Sequence, residues 1–437
     1  MFYDPAIETV PREKIRDIQW QRLRDMLEKV YQGNRFYQDR FKKHGVALED
    51  IQDLNDITKL PFTNKKDFQK DQEEHPVFGT NLTEPFENYV QFHQTTGTTG
   101  KPLKWLDTKD SWAWRARCMA HSLAAAGVTN KDVLLLPFNF GPYTAFWGVY
   151  EAAQHLDVLT IPTGGWTTEQ RLNSIVENQA TLIIGTPTYM LRLAEAAQEE
   201  GIDLANSAIR VLILAGEPGA MIPSVREKLE KAWGARVFEY PGLTETGTYA
   251  FMCEHDNQAL HIIESEFIVE VLDPKTGRSV ADGETGELVL TNLGRTCSPA
   301  IRYRTNDLVR LEKSSCACGR TFGKLIGGVL GRQDEMLIIR GVNVFPSTMG
   351  NIVEEFLELG NEYQITAYRR GDMDELKIQI EMTPSSKDVS ELIATELKKR
   401  LNLRVDIQTV PKGTLARSDY KGKRFIDERS KRSSSAG

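Results

Sequence analysis

Between residues 130 and 240 the chain carries five short apolar runs, at 133–138 (VLLLPF), 158–161 (VLTI), 181–184 (TLII), 211–214 (VLIL) and 237–240 (VFEY). Their residues do not alternate apolar with polar, so they do not read as strands with one face in water. Helix-like stretches lie between them, including 187–200 and 222–233. Strands apolar on both faces need cover on both faces, and intervening helices supply it in a parallel sheet. Such sheets bind ligands beyond the carboxyl ends of their strands. The loops leaving these runs are therefore where chemistry is expected.

The rest of the chain has a different texture. Residues 12–44 place Ile15, Ile18, Leu23, Met26, Leu27 and Val30 at helical spacing, which predicts one amphipathic helix lying on a larger body. After 262 the pattern turns β-rich, with turn signals at Asp273-Pro274 and Asp282-Gly283. From about 333 a separate α+β unit is expected. Leu376, Ile378 and Ile380 alternate with polar residues as a half-buried strand, and Val389, Ile393 and Leu397 recur every four residues as a helix. A length of 437 residues exceeds one ordinary core. The division read here is a large unit over 1–332, a small one over 333–427 and a disordered tail over 428–437. The fold class is α/β, with a β-rich part attached to the large unit.

Charge and composition exclude several roles. Lys and Arg number 54 against 61 Asp and Glu, a formal charge of −7, which argues against a general nucleic-acid binder. No apolar run nears the roughly 18 residues that span a bilayer, so no membrane association is expected. The opening Met-Phe-Tyr-Asp-Pro has no basic start followed by an apolar stretch, and a cytoplasmic protein is expected. Five scattered cysteines do not suggest a disulfide framework. Cys118 and Cys297 read as buried thiols, whereas Cys253 and Cys316-Ala-Cys318 could share one site with His255 or His261.

Thr95-Thr96-Gly97-Thr98-Thr99-Gly100-Lys101-Pro102 is the strongest single motif. Its glycines let backbone approach a ligand, its hydroxyls donate hydrogen bonds and its lysine adds charge, as a polyphosphate loop requires. It is not a Walker loop. Only two residues separate the glycines, and proline follows the lysine. A Gly/Thr-rich surface turn is the plainer alternative.

This loop resembles the phosphate-binding signature of the adenylate-forming enzymes, which include acyl-CoA synthetases, adenylation domains and luciferases. Further segments follow in that superfamily's order. Tyr240-Pro241-Gly242-Leu243-Thr244-Glu245 resembles its aromatic-Gly-x-Thr-Glu segment, which implies that backbone and Thr244 hold the α-phosphate and Glu245 holds Mg²⁺. Gly216-Glu217-Pro218 and Glu239 fall in segments that the resemblance also assigns to ATP and AMP. Arg302-Tyr303-Arg304-Thr305-Asn306-Asp307 is similar to the segment whose aspartate takes the ribose hydroxyls, here Asp307, with Asn306 where glycine is commoner. Gly331-Arg332-Gln333-Asp334 resembles the ribose arginine followed by the hinge, and Gly341 is implied on the coenzyme A side. Arg417-Ser418-Asp419-Tyr420-Lys421-Gly422-Lys423 resembles the loop of the catalytic lysine, which implies Lys421, with Lys423 the alternative.

The phenylacetate–CoA ligases are the nearer resemblance, and it runs over nearly the whole chain. Asn34-Arg35-Phe36-Tyr37, Leu60-Pro61-Phe62-Thr63, Gly185-Thr186-Pro187-Thr188-Tyr189 and Gly341-Val342-Asn343-Val344-Phe345-Pro346 carry it. The resemblance implies a small carboxylic acid of aryl or arylacetic type, ATP and CoA as substrates, and a mobile C-terminal lid. A homodimer is left open. Transfer to a carrier-protein thiol or an amine is the alternative to CoA. The family's metal pattern places zinc on Cys253, His261, Cys316 and Cys318. Its acid pocket falls on Phe138, Phe140, Gly141, Tyr143, Phe146 and Ala215, although an aromatic stretch of this kind also reads as ordinary core. The eight Lys and Arg of 412–437 read as a solvated basic tail apart from the one lysine that enters the site.

Overall fold

The computed structural model describes residues 1–95, 101–339, 342–370, 373–382, 387–416 and 424–429. A two-stranded hairpin, β1 (Tyr89–Gln94) and β2 (Lys104–Thr108), precedes the main sheet and is joined through the Gly/Thr loop. The main sheet comprises β3 (Val133–Leu136), β4 (Leu159–Pro162), β5 (Leu182–Gly185), β6 (Val211–Leu214) and β7 (Arg236–Glu239). All five are parallel, in the order β4-β3-β5-β6-β7. Every residue of β5 and β6 is buried, which is why these runs show no alternation. The chain runs from β3 to one side and returns to the other, leaving a crevice at the carboxyl ends where the order reverses.

A second, antiparallel sheet follows in chain order closely. Its strands run Ala250–Cys253, Asp256–Ile262, Lys324–Ile326, Tyr303–Glu312, Thr285–Asn292 and Phe267–Leu272 side by side, with Gly331–Arg332 pairing to Tyr303–Glu312. It begins before residue 262, because Ala250–Ile262 forms a hairpin whose inner face packs on the helix Lys109–Ala125.

The expected helix over 12–44 is two helices, Arg12–Gly33 and Arg35–His44. Asn34 leaves helical geometry and caps the second, its side-chain oxygen accepting from Tyr37 N at 3.1 Å. Leu23, Met26, Leu27 and Val30 bury against Tyr37, Trp105 and Tyr303 in a second core.

Residues from Leu337 onward form a third core of their own. The strands Asp406–Pro411, Met373–Met382, Tyr363–Arg370 and Phe425–Asp427 make its sheet, covered by helices Pro346–Glu354 and Ser390–Leu401. Ile393 and Leu397 are fully buried, as their spacing requires. Ion pairs join this unit to the large one: Lys228 Nζ lies 3.0 Å from Glu354, and Lys412 Nζ lies 2.6 Å from Glu195. The first residues of the segment read as a tail are held. Glu428 N donates to Ala367 O and Arg429 pairs with Asp374 at 3.1 Å, while 430–437 lie outside the described residues. Among the described residues no helix is long and apolar enough to cross a membrane.

Candidate active site

A cleft of about 1120 Å³ opens where the strand-exit loops converge. Tyr143, Thr144 and Ala145 reach it after β3, Ala215 and Gly216 after β6, and Tyr240 with Gly242–Glu245 after β7. Asn306, Arg332 and Asp334 close it from the β-rich side.

The hairpin strand β1 brings Gln94, and Thr95 just after it, to the lining of the cleft. Thr95 N donates to Leu103 O and Leu103 N donates to Thr95 Oγ1, each at 3.0 Å, so this hydroxyl closes the base of the loop. Thr96, Gly97, Thr98, Thr99 and Gly100 lie outside the described residues, as do Gly341 and Lys421. Lys101 is exposed, with Nζ 3.9 Å from Glu73.

Thr244 and Glu245 sit in the tight turn between the short strands Gly242–Leu243 and Gly247–Thr248. Glu245 is buried yet lines the cleft, so its carboxylate is a fixed oxygen donor of the kind a hard divalent cation prefers. Asp307, on the strand Tyr303–Glu312, is buried and does not itself line the cleft; Arg332, which does, donates from Nη1 to Asp307 Oδ1 at 3.0 Å. Burial pushes Asp307 up to about 7 against the opposing pull of Arg332. Arg332 also grips Asp334 through two bonds, Nε to Oδ1 at 3.1 Å and Nη2 to Oδ2 at 3.0 Å. Asn306 has φ of 63°, the left-handed region where glycine fits best and asparagine is among the few side chains tolerated. The glycine-to-asparagine departure therefore preserves the turn that sets Asp307.

Four of the residues assigned to nucleotide by resemblance, Glu217, Pro218, Glu239 and Pro241, do not line the cleft. Glu217 Oε1 accepts from Thr188 N at 3.2 Å at the start of the helix Pro187–Glu199. Glu239, at the end of β7, is buried behind the cleft and accepts from Gly219 N at 3.0 Å and Met221 N at 3.1 Å, bracing the turn after Gly216. Burial pushes its carboxyl up from 4.5 to about 7 in spite of those bonds. Between those values the folded chain keeps a proton that the unfolded chain releases. The stability Glu239 contributes is thus complete below its unfolded value and is lost as pH rises through about 7. Glu239→Gln is expected to flatten that decline by roughly 1–3 kcal/mol between pH 5 and 7.5, measured by denaturant titration at both values. An unchanged pH slope would remove Glu239 as its source.

The aromatic segment after β3 needs a correction. Tyr143 and Ala215 line the cleft, but Phe138, Phe140, Gly141 and Phe146 do not. Phe138 and Phe146 stack at 3.7 Å between ring centroids and belong to the main core. Apolar side chains at the mouth of a buried sheet are drawn into it, and smaller groups, Met119, Ala145, Gly148 and Thr248, make the wall instead.

Cys253, His261, Cys316 and Cys318 converge, with one ligand atom from each lying within 4.8 Å of all the others. Cys253 Sγ is 3.8 Å from Cys316 Sγ, and Cys318 Sγ is 3.4 Å from His261 Nε2. Tetrahedral zinc with bonds of ~2.3 Å to sulfur separates sulfurs by about 3.8 Å, so the spacing fits that ion. His261 Nδ1 lies 3.3 Å from Phe322 O, which turns Nε2 toward the sulfurs. Cys318 is pushed down to about 2 by its hydrogen bond with Cys253, with His261 adding to it. His255 is exposed, beside Glu254, and takes no part. The cluster brings the Ala250–Ile262 hairpin to the turn before Lys324–Ile326, and none of its residues lines the cleft.

Sequence reasoning missed three charged residues behind Thr244 and Glu245. These are Asp107, Arg115 and Arg295, all buried. The available signal was weak: Asp107 and Arg115 stand among other charged residues, Lys104, Lys109 and Asp110, in the stretch 104–116, with nothing to set them apart.

The Thr244-Glu245 turn and Arg332, which holds Asp307, meet at the carboxyl ends of the parallel sheet, and the family match makes the chain an AMP-binding, adenylate-forming enzyme. Residues 38–294 match the AMP-binding enzyme family, and residues 341–429 match the AMP-binding enzyme C-terminal domain. The phenylacetate-coenzyme A ligase of Thermus thermophilus is 31% identical over 98% of this chain and 100% of its own length. That of Pseudomonas putida is 33% identical over 98% of this chain and 97% of its own. The chain belongs to the phenylacetate–CoA ligase family. Among solved structures, 2-hydroxyisobutyryl-CoA ligase in the postadenylation state matches with a TM-score of 0.91 at 27% identity, over 98% of this chain and 92% of that one. The same enzyme in its thioesterification state, with 2-HIB-AMP and CoA, matches at 0.75, again at 27% identity and over 98% and 93%.

Proposed function

We propose that this protein is an ATP-dependent, AMP-forming acid–CoA ligase for an aryl or arylacetic acid, acting through an acyl-adenylate. The carrying observation is the cleft itself. It is lined both by Thr244, Glu245 and Arg332 and by Tyr143, Met119 and Gly148, polar and charged groups together with apolar ones, as a nucleotide and a mostly apolar acid would require. The family relatives named as phenylacetate ligases support the acid class.

In the first half-reaction the acid's carboxylate attacks the α-phosphorus of ATP and pyrophosphate leaves. Asp307 accepts from the ribose hydroxyls, Arg332 orients Asp307 and opposes the effect of its burial, and Thr244 donates to the α-phosphate. Glu245 would hold Mg²⁺, which when bound neutralises phosphate charge. Lys421 is assigned the developing charge on the phosphorus, by preorganised electrostatics. In the second half-reaction the small unit, residues 333–427, turns about Asp334, withdraws Lys421 and brings Gly341 to the CoA side, and the thiol displaces AMP. The better fit to one state of the hydroxyisobutyryl enzyme than to the other supports two arrangements of such units. Zinc on Cys253, His261, Cys316 and Cys318 would have four protein ligands and no open position, a structural role.

The test is acid-dependent ATP–pyrophosphate exchange over aryl, arylacetic, fatty and amino acids. Arylacetic or aryl acids are expected to lead. Exchange led by amino acids or long fatty acids would overturn the acid class.

The hinge has its own test. Asp334→Pro fixes φ near −65° and should leave exchange within a few-fold of normal while slowing thioester release at least tenfold. Asp334→Ala controls for the lost bonds to Arg332. Normal overall turnover in the proline variant would place the hinge elsewhere.

A further inference from the structure

Behind the Thr244-Glu245 turn lies a buried cluster of two guanidinium groups on one carboxylate. Asp107, on β2, is fully enclosed. Arg295 takes it with two bonds, Nε to Oδ1 at 2.6 Å and Nη2 to Oδ2 at 3.1 Å. Arg115, on the helix Lys109–Ala125, lies with Nε 3.2 Å from the same Oδ2. Each arginine then reaches the turn: Arg295 Nη1 donates to Glu245 O at 3.0 Å, and Arg115 Nη2 donates to Thr244 O at 2.7 Å. Successive carbonyls of the turn are thus held by two cations whose own positions are fixed through Asp107.

The surroundings leave this arrangement little freedom. Arg295 stacks over Trp105 at 4.6 Å and also donates to Leu106 O at 3.2 Å. A side chain at Gly294 would meet Trp114 at 2.1 Å, so the neighbouring backbone is fixed by close packing. Burial alone would raise Asp107, yet Arg295 and Arg115 hold it below the usual carboxylate range, and the cluster keeps a net positive charge at the cleft floor. Arg115 itself lines the cleft. Buried guanidinium donors need acceptors, and here both arginines direct one to successive carbonyls of the same turn while sharing a single carboxylate, so the three residues and the turn are held as one unit.

We infer that Arg115 and Arg295, linked by Asp107, are positioning residues for adenylation, setting the Thr244 hydroxyl and the Glu245 carboxylate through their backbone carbonyls. The inference rests on the ligase reading above. It deepens that reading by giving the α-phosphate site a support that reaches across the hairpin β1–β2 to the β-rich sheet.

The experiment is a double-mutant cycle in the full-length enzyme, with phenylacetate as probe acid and ATP–pyrophosphate exchange as readout. Arg295→Lys and Arg115→Lys keep the charge but cannot span both partners. Each is expected to lower the exchange rate about 10- to 100-fold and to raise the Mg²⁺ concentration needed for half-maximal rate, with the KM for phenylacetate within threefold of normal. Combined with Glu245→Gln, each should add less than twofold, because the arginines act through that residue. Full additivity, or an unchanged Mg²⁺ requirement, would overturn the inference. So would unfolding of both lysine variants, which would make the cluster a plain fold element; if only Arg295→Lys unfolds, Arg115→Lys decides. Wild-type protein without acid-dependent exchange would instead sink the ligase reading, a result distinct from exchange that the variants leave untouched.

Discussion

Lys421→Ala is expected to slow acyl-adenylate formation by about 10²–10³, or roughly 3–4 kcal/mol, the usual loss when one preorganised donor to a charged transition state is removed. The attack of a carboxylate on the α-phosphorus places extra negative charge on the phosphoryl oxygens. The donors already on the cleft floor, Thr244 and the turn around it, approach from one side. In the reading proposed above a lysine of the small unit supplies a further donor, and water in its place would have to reorganise during the reaction. Thioester formation from supplied acyl-adenylate should continue at near-normal rate, since the lysine has by then left with the rotating unit. Lys423→Ala is the control and should be mild. If Lys423→Ala gave the large loss, the catalytic position would move two residues along the chain. If Lys421→Ala lowered both half-reactions equally, its role would be in holding the fold.

The second large effect concerns the thiolate cluster. Purified protein is expected to carry close to one equivalent of zinc, and Cys316→Ser or Cys318→Ser should lose most of it. Zinc affinity in such sites is coupled to folding, with apparent free energies of ~10 kcal/mol or more in small domains. That is comparable to the whole margin of an ordinary domain, about 5–15 kcal/mol. Melting should therefore fall by on the order of 10 °C, a loss of about 3–5 kcal/mol at this size. The hairpin Ala250–Ile262 packs on the helix Lys109–Ala125, so the damage should spread to the cleft floor through Arg115. Added Mg²⁺ should not restore it, because hard cations prefer oxygen over thiolate. Elemental analysis with a melting curve decides. Metal-free protein that is fully active and melts like the zinc-loaded form would end this assignment.

What could be read in the sequence is what burial and local chemistry write into consecutive residues. The strands β3 and β5 to β7 were legible because both faces are covered, while the edge strand β4, with no buried residue, was legible only as a short apolar run; the parallel arrangement placed the cleft at the carboxyl ends. Asn306 was legible as a turn position but its φ was not, and only the backbone shows why asparagine serves there. The helix break at Asn34 was hidden because apolar spacing continues across it. Phe138 and Phe146 looked equally suited to core or pocket, and the choice depends on which way a loop folds back. The cluster of Asp107, Arg115 and Arg295 joins residues up to 188 positions apart, and no local pattern carries that information. The metal group was legible in residue type, and the resemblance already favoured His261 over His255; the structure brings His261, not His255, to the three cysteines.

The central claim is that one cleft makes an acyl-adenylate and then passes it to CoA. Its most direct test is a two-stage single-turnover experiment. Enzyme, Mg·ATP and phenylacetate are mixed without CoA, the enzyme-bound product is identified by mass, and CoA is then added. Phenylacetyl-adenylate with one pyrophosphate released per site should accumulate first, and CoA should convert it to phenylacetyl-CoA and AMP without further ATP. Release of ADP and phosphate, or thioester formation with no adenylate ever present, would contradict the account.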